Sequence, residues 1–254
     1  MATVPDTTIV VPCYNEATRL STEAFRSFVQ AQPQVRFVFV NDGSTDGTAA
    51  LLTGLAASDP THFQHLDQAR NQGKAEAVRV GMRHAFSLGG RYAGYWDADL
   101  ATPLTEIPRF VQALDSHPER EICFGARVQL LGRTIDRRPL RHYLGRVFAT
   151  VASSMLQLAI YDTQCGAKLF RVSPALAELF ATPFVVSWTF DVELIARLRQ
   201  ARLRDGGPGP AEVIYELPLD QWHDVAGSKV RPGDFLKALL EMFHIHRKYL
   251  GKSL

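Results

Sequence analysis

A chain of 254 residues, 46% hydrophobic and 21% charged, is ordinary for a globular protein and has apolar matter for one large α/β domain or two small ones. Its net charge of +2 is too small to argue for a nucleic-acid partner. No run of about 18 apolar residues suggests a membrane-spanning helix; the nearest, Val147 to Ile160, is shorter and carries Ser153, Ser154 and Gln157.

The N-terminus leads almost directly, with no visible signal peptide, into Thr7-Thr8-Ile9-Val10-Val11, which reads as a buried parallel strand. Pro12-Cys13-Tyr14-Asn15-Glu16 ends it, and a helix is expected over Ala17 to Ala31. Val35 to Val40 reads as a second strand. It stops at Asn41-Asp42-Gly43-Ser44-Thr45-Asp46-Gly47, where Asp46 can cap a helix from Thr48 to Ala57. A third strand fits Phe63 to Leu66. Asn71-Gln72-Gly73-Lys74 then opens a helix with Ala75, Val78, Met82 and Phe86 on one face. Tyr92 to Trp96 is a fourth strand, Glu106 to Ser116 a helix, and Glu121 to Arg127 a fifth strand with its exit.

This alternation predicts an α/β fold with a mostly parallel sheet and helices on both faces. Ligands bind such sheets at the carboxyl ends of the strands. Tyr14, Glu16, Asp42, Asp97, Asp99 and Arg127 all fall at those ends. The second half is less regular. A long helix is expected over Leu140 to Ile160, then a loop from Asp162 into a short strand ending near Arg171. Trp188 to Glu193 opens a helix to about Leu203; Val213 to Leu217 is read as the final strand and Pro232 to Tyr249 as a terminal helix. No linker separates two domains, so one domain over 1–254 is expected. Cys13, Cys123 and Cys165 are odd in number and lack metal-ligand spacing, which suits reduced thiols in a cytoplasmic protein.

The stretch Tyr95-Trp96-Asp97-Ala98-Asp99-Leu100-Ala101-Thr102-Pro103 organises the rest. Two carboxylates one residue apart, where a strand gives way to a loop, can share one hard cation. A cation there can hold a diphosphate and make a nucleotide a leaving group.

Four motifs in series, Val11-Pro12-Cys13-Tyr14-Asn15-Glu16, Asn41 to Gly47, Asn71-Gln72-Gly73-Lys74 and Asp97-Ala98-Asp99, resemble the inverting nucleotide-sugar glycosyltransferases of family 2 with the GT-A fold. Gly125-Ala126-Arg127, Arg138 to Arg141, Asp162 to Phe170, Trp188 to Glu193 and Gly227-Ser228-Lys229 are similar to the polyprenyl-phosphate branch. Trp222-His223 looks more like the dolichyl-phosphate β-glucosyltransferases than the mannose synthases, which usually carry arginine at that place. The chain departs from the family at Ala101, where a polar residue often helps hold the metal, and at Ala167, where an aromatic is common.

The resemblance implies Mg²⁺ or Mn²⁺ held by Asp97 and Asp99, a nucleotide-sugar-binding half over about 1–127, and an acceptor-binding half over about 128–254. UDP-glucose is the expected donor and polyprenyl or dolichyl phosphate the expected acceptor. Pro12, Tyr14, Glu16, Asp42, Lys74 and Ala98 join the two acids in the donor-binding set. A ring can pack on a base and a carboxylate can accept from base or ribose; the plainer alternatives are that Glu16 supports a helix turn, Asp42 shapes its turn and Lys74 is a solvated helix-start residue. Arg127 and Arg141 are assigned to the acceptor phosphate and Lys229 to the donor diphosphate. Asp191 completes the catalytic set. With Asp162 and Glu193 it either binds sugar hydroxyls or orients the cations, a salt bridge or cap being the plainer reading.

A soluble or polysaccharide acceptor, which would need a carboxylate base, and a nucleotide-sugar-binding protein without catalysis are the rival readings. The Leu140–Ile160 helix and the terminal helix each pair basic residues with an apolar face, so weak contact with the cytoplasmic membrane face is expected. Core packing is the plainer reading for Phe235, Leu236, Leu239, Leu240, Phe243 and Ile245.

Overall fold

The computed structural model of the chain describes residues 4–136, 139–225 and 233–251, and for 139–142 and 233–236 the backbone alone. The first half runs β1 (Thr7–Cys13), α1 (Thr22–Ala31), β2 (Val35–Asn41), α2 (Thr48–Ser58), β3 (Phe63–Asp67), α3 (Lys74–Ser87), β4 (Tyr92–Trp96), α4 (Ile107–Ser116) and β5 (Ile122–Ala126). The second half runs β6 (Thr134–Asp136), α5 (Pro139–Leu156), β7 (Ala167–Arg171), α6 (Pro174–Glu178), α7 (Phe190–Asp205), α8 (Pro210–Val213), β8 (Ile214–Pro218), β9 (Gln221–His223) and α9 (Gly233–Ile245).

Seven strands form one sheet in the order β3-β2-β1-β4-β7-β5-β8. The helical crossovers make β1 to β4 parallel neighbours, and β5 is parallel to β8. Successive strand residues face opposite sides. Val10 and Tyr95 therefore meet α3, α5, α7 and α9 in one core, while Ile9, Val11 and Trp96 meet α1, α2 and α4 in the other. Phe25, Phe37, Phe39 and Phe63 dominate the second core, with Phe25 edge-on to Phe37 and Phe39 at 4.9 and 5.0 Å.

The exception to parallel order positions the site. β7 enters antiparallel between β4 and β5, with Ala167 opposite Trp96. The chain entering β7 therefore lies beside the carboxyl end of β4. That places Cys165 and Gly166 against Asp97.

Several boundaries differ from the sequence reading, each for a local reason. α1 starts at Thr22 rather than Ala17 because Ser21 caps it, its hydroxyl accepting from the Ala24 amide at 3.3 Å. α5 ends at Leu156 rather than Ile160, where Gln157 turns left-handed at φ 51° and the Ser153 hydroxyl donates to the Leu158 carbonyl. β8 is not the last strand: β9 pairs parallel with β6 in a small second sheet. On α9, Ala238, Met242 and Ile245 enter the core, but Leu239, Leu240 and Phe243 are exposed, so core packing accounts for only one side of the described side chains; Phe235 and Leu236 lie outside these.

Candidate active site

β4 stops at Trp96, and its indole nitrogen donates to the Thr102 carbonyl at 2.8 Å. This bond closes the turn carrying Asp97 and Asp99. Leu100 takes a left-handed φ of 53°, and the Ala101 amide donates to Asp99 Oδ1 at 3.1 Å. Ala101 thus serves the second acid through its backbone, its side chain being buried. The Asp97 amide donates to the Gly166 carbonyl at 3.1 Å. A Cβ on residue 166 would lie 1.9 Å from Asp97 Oδ2, so only glycine leaves room for that carboxylate. Ala98, between the acids, is buried.

Lys74, the first residue of α3, places Nζ 2.5 Å from Asp97 Oδ1. Its side chain stays 42% exposed, so it is a helix-start lysine both solvated and ion-paired. Desolvation by its surroundings opposes its charge, but Asp97 and Asp191 outweigh that and hold the ammonium above the usual lysine range. Burial, and then the like charge of Asp97, push Asp99 above the usual aspartate range.

The donor set fits a small hard cation. It is all oxygen, it concentrates negative charge, and the gap at Gly166 keeps Asp97 in place. Among the described residues no group of three or more His, Cys, Asp or Glu could hold a metal. Two carboxylates would thus be supplemented by water and phosphate oxygens, as Mg²⁺ or Mn²⁺ allows.

The ends of β1 and β2 are laced together. Asn15 sits at φ 52°; its amide donates to the Ser44 hydroxyl at 3.0 Å, and its Oδ1 accepts from the Thr45 amide at 2.9 Å. Glu16 donates its amide to Thr48 Oγ1 at 2.8 Å, while Asp46 accepts from Ala17 and Thr48 amides at 3.2 and 3.0 Å. Pro12 lies past Val10, the last β1 residue paired with β4, so its missing amide costs no bond on that side. Tyr14 is half-buried at the strand end.

Glu16 and Asp42, both expected in the donor-binding set, each have local partners. The Glu16 carboxylate is buried and meets Arg19 at 2.9 Å, supporting the local turn. Asp42 is buried and accepts from the Gln72 and Gly73 amides at 2.7 and 2.8 Å and from Asn71 Nδ2 at 3.0 Å. These bonds tie it to the turn that starts α3 and presents Lys74. Gly43 permits this, since at φ 61° an added Cβ would lie 2.4 Å from the Arg70 backbone.

Across the sheet, Arg127 follows β5 and is gripped by Asp162, Nε to Oδ2 at 2.6 Å and Nη2 to Oδ1 at 2.8 Å. Burial disfavours the guanidinium's charge, but Asp162 more than restores it and raises the Arg127 pKa. The Trp222 ring lies 5.4 Å from the guanidinium. Glu216 holds the other end of the loop by accepting from the Tyr161 and Asp162 amides at 2.9 Å. Asp162 thus orients a cationic residue, one of the roles open to it in the sequence. The backbone of Arg141 lies in the first turn of α5, its side chain is outside the described set, and Lys229 lies outside the described residues.

Asp191, at the start of α7, is buried. Its Oδ1 meets Lys168 Nζ at 2.8 Å and accepts the Tyr95 hydroxyl. Glu193 is fully buried and accepts from the Val185 amide, Arg197 and the Tyr249 hydroxyl, so for it the structural reading holds. Lys168 and Gly166 were missed as individual functional candidates. The available signal was a lysine inside the apolar run Ala167-Lys168-Leu169-Phe170, where no solvent face is expected.

The sheet order, the antiparallel β7 and the acid pair at the end of β4 define a glycosyltransferase fold of the GT-A type. Residues 8–177 match glycosyl transferase family 2, so the chain belongs to that family and is a glycosyltransferase. It is similar to a dolichyl-phosphate beta-glucosyltransferase of Trichomonas vaginalis, 32% identical over 94% of this chain and 70% of that protein. It is likewise similar to the dolichyl-phosphate beta-glucosyltransferase of Saccharomyces cerevisiae, 28% identical over 95% of this chain and 74% of that one. Glucosyl-3-phosphoglycerate synthase from Mycobacterium tuberculosis, solved with Mn²⁺, UDP and glucosyl-3-phosphoglycerate, shares the fold with a TM-score of 0.63, at 17% identity over 97% of this chain and 80% of that one.

Proposed function

We propose that this chain transfers glucose from UDP-glucose to a polyprenyl or dolichyl phosphate, with inversion and with a divalent cation. The observation that carries the reading is the acid pair Asp97 and Asp99 at the end of β4, in a chain 32% identical to a dolichyl-phosphate beta-glucosyltransferase. In it, an acceptor phosphate oxygen attacks the anomeric carbon while the bond to the donor diphosphate breaks. That oxygen is already ionised near neutral pH, so the buried acids need not act as a base.

Asp97 and Asp99 hold the cation, which when bound supplies the charge that stabilises the leaving diphosphate. Lys74, already against Asp97, adds a fixed positive charge there. Tyr14 offers its ring to the base, with Pro12 and Ala98 shaping the backbone around it. Arg127, aimed by Asp162, and Arg141 from α5 receive the acceptor phosphate; Lys229 serves the donor diphosphate. The lipid acceptor implies weak contact with a membrane surface.

The test is transfer of labelled glucose from UDP-glucose to a short polyprenyl phosphate, with and without Mg²⁺ or Mn²⁺. Metal-dependent label in the organic phase is expected, and Asp99→Ala should lower turnover by at least about a thousandfold. Near-normal turnover in that variant would sink the metal role. Donor breakdown without lipid product would move the acceptor to a soluble one.

A further inference from the structure

Lys168 lies on β7 with no exposure to solvent. A buried ammonium is unfavourable unless paired and hydrogen-bonded. Here it donates to the Cys165 carbonyl at 2.6 Å and meets Asp191 Oδ1 at 2.8 Å, beside the rings of Phe124 and Tyr95 at 4.6 and 5.3 Å. An apolar side chain would pack between those rings without needing a partner, so packing alone does not account for a lysine.

Both of its partners lead to the acid pair. Cys165 precedes Gly166, whose carbonyl accepts the Asp97 amide and whose missing Cβ makes room for the Asp97 carboxylate. Asp191 adds its negative charge to the surroundings of Lys74, the ammonium that meets Asp97. One buried cation therefore joins the segment under Asp97 to the helix start that carries Asp191.

We propose that Lys168 is a positioning residue for the donor diphosphate and its cation: by tying the Cys165 carbonyl to Asp191 it sets the Gly166 backbone under Asp97 and the charge facing Lys74. This rests on the reading of Asp97 and Asp99 as the cation site. Lys168 touches neither substrate nor cation; it acts through the groups that do.

The test compares the full wild-type chain with Lys168→Met, which keeps much of the apolar contact and removes the charge. Without ligand, amide hydrogen exchange should quicken over residues 97–101 and 162–166. By calorimetry, Mn²⁺-dependent UDP binding should weaken about tenfold or more, while UDP binding without metal changes less than about twofold. A lysine with a merely structural role would lower the melting temperature and leave the Mn²⁺ dependence intact; that result overturns the proposal. If the methionine variant does not fold, Lys168→Gln, which keeps a donor without charge, is read by the same criteria. A wild-type chain that binds UDP no better with Mn²⁺ would overturn the cation reading itself. Hydrogen exchange then decides the tie by itself, and unchanged exchange in the variant overturns it.

Discussion

At position 166 one methyl group would decide where Asp97 can sit. The Cβ would fall 1.9 Å from Oδ2, so either the carboxylate rotates or the two segments part. Gly166→Ala should therefore lower glycosyl transfer by at least about a hundredfold, with a stability loss of only about 1–3 kcal/mol. A transfer assay beside thermal melts checks both, and near-normal turnover would show that Asp97 need not hold this position. The cysteines give a second expectation at this scale. Burial pushes the Cys13, Cys123 and Cys165 thiols above their usual range. The thiolate is the reactive form, so the native chain should resist iodoacetamide at neutral pH and take up label at all three sites once unfolded. Mass spectrometry of the two states reads this directly, and rapid native labelling would contradict it. The acids at the strand ends were legible from sequence because strand-to-loop punctuation is local. Their partners were not: nothing between Asp97 and Gly166 announces that an antiparallel strand will bring them together.

Among the elements, α3 sets the site's distances. It lies close on the sheet because Gly81 has no side chain; a Cβ there would come within 2.3 Å of Val10 Cγ1 and 2.8 Å of Val40 Cγ2. Asp42 fixes the other end of the helix through the Gln72 and Gly73 amides. Gly81→Ala should thus lift α3, cost about 1–3 kcal/mol, and weaken Mn²⁺-dependent UDP binding by moving Lys74 away from Asp97. Melting temperature and calorimetry together test this, since a stability loss with unchanged UDP affinity would mean that the helix absorbs the strain without moving its first turn. The helix itself was readable from Ala75, Val78, Met82 and Phe86 at helical spacing, and all four are buried. β6 and β9 were not: each has three residues, too few for a period to show. They matter because β9 carries Trp222 to Arg127. Asp42 shows the opposite limit. Its motif was plain, but its partner Asn71, whose side-chain amide donates to the carboxylate, lies 29 residues further on.

For the whole molecule, the question is how a chain with no helix long and apolar enough to cross a membrane, among the described residues, would reach a lipid-borne phosphate. α5 buries Phe148, Ala149, Ala152 and Leu156 and leaves Tyr143, Leu144, Val147, Thr150, Val151 and Ser154 exposed, a set with no charge in it. α9 exposes Leu239, Leu240 and Phe243, with His244, His246, Arg247 and Lys248 exposed just beyond. Both helices converge on the segment before Asp191: Phe148 lies 6.3 Å from the Trp188 ring, and Glu241 accepts from the Trp188 and Thr189 amides at 3.0 and 2.8 Å. Each large apolar side chain fully buried in lipid contributes about 1.5–3 kcal/mol, so several give reversible binding rather than a permanent anchor. The basic run adds attraction to anionic headgroups that salt screens. The chain is therefore expected to float with anionic vesicles at low salt and to be released at about 1 M salt, where the screening length falls to about 3 Å. Val147→Glu with Phe243→Glu should reduce flotation about tenfold or more and leave turnover of a water-soluble short-chain acceptor within about twofold. Flotation unchanged in the double variant would show that these two faces do not carry the contact. No flotation of the wild-type chain at low salt would mean that the acceptor comes to the enzyme by another route.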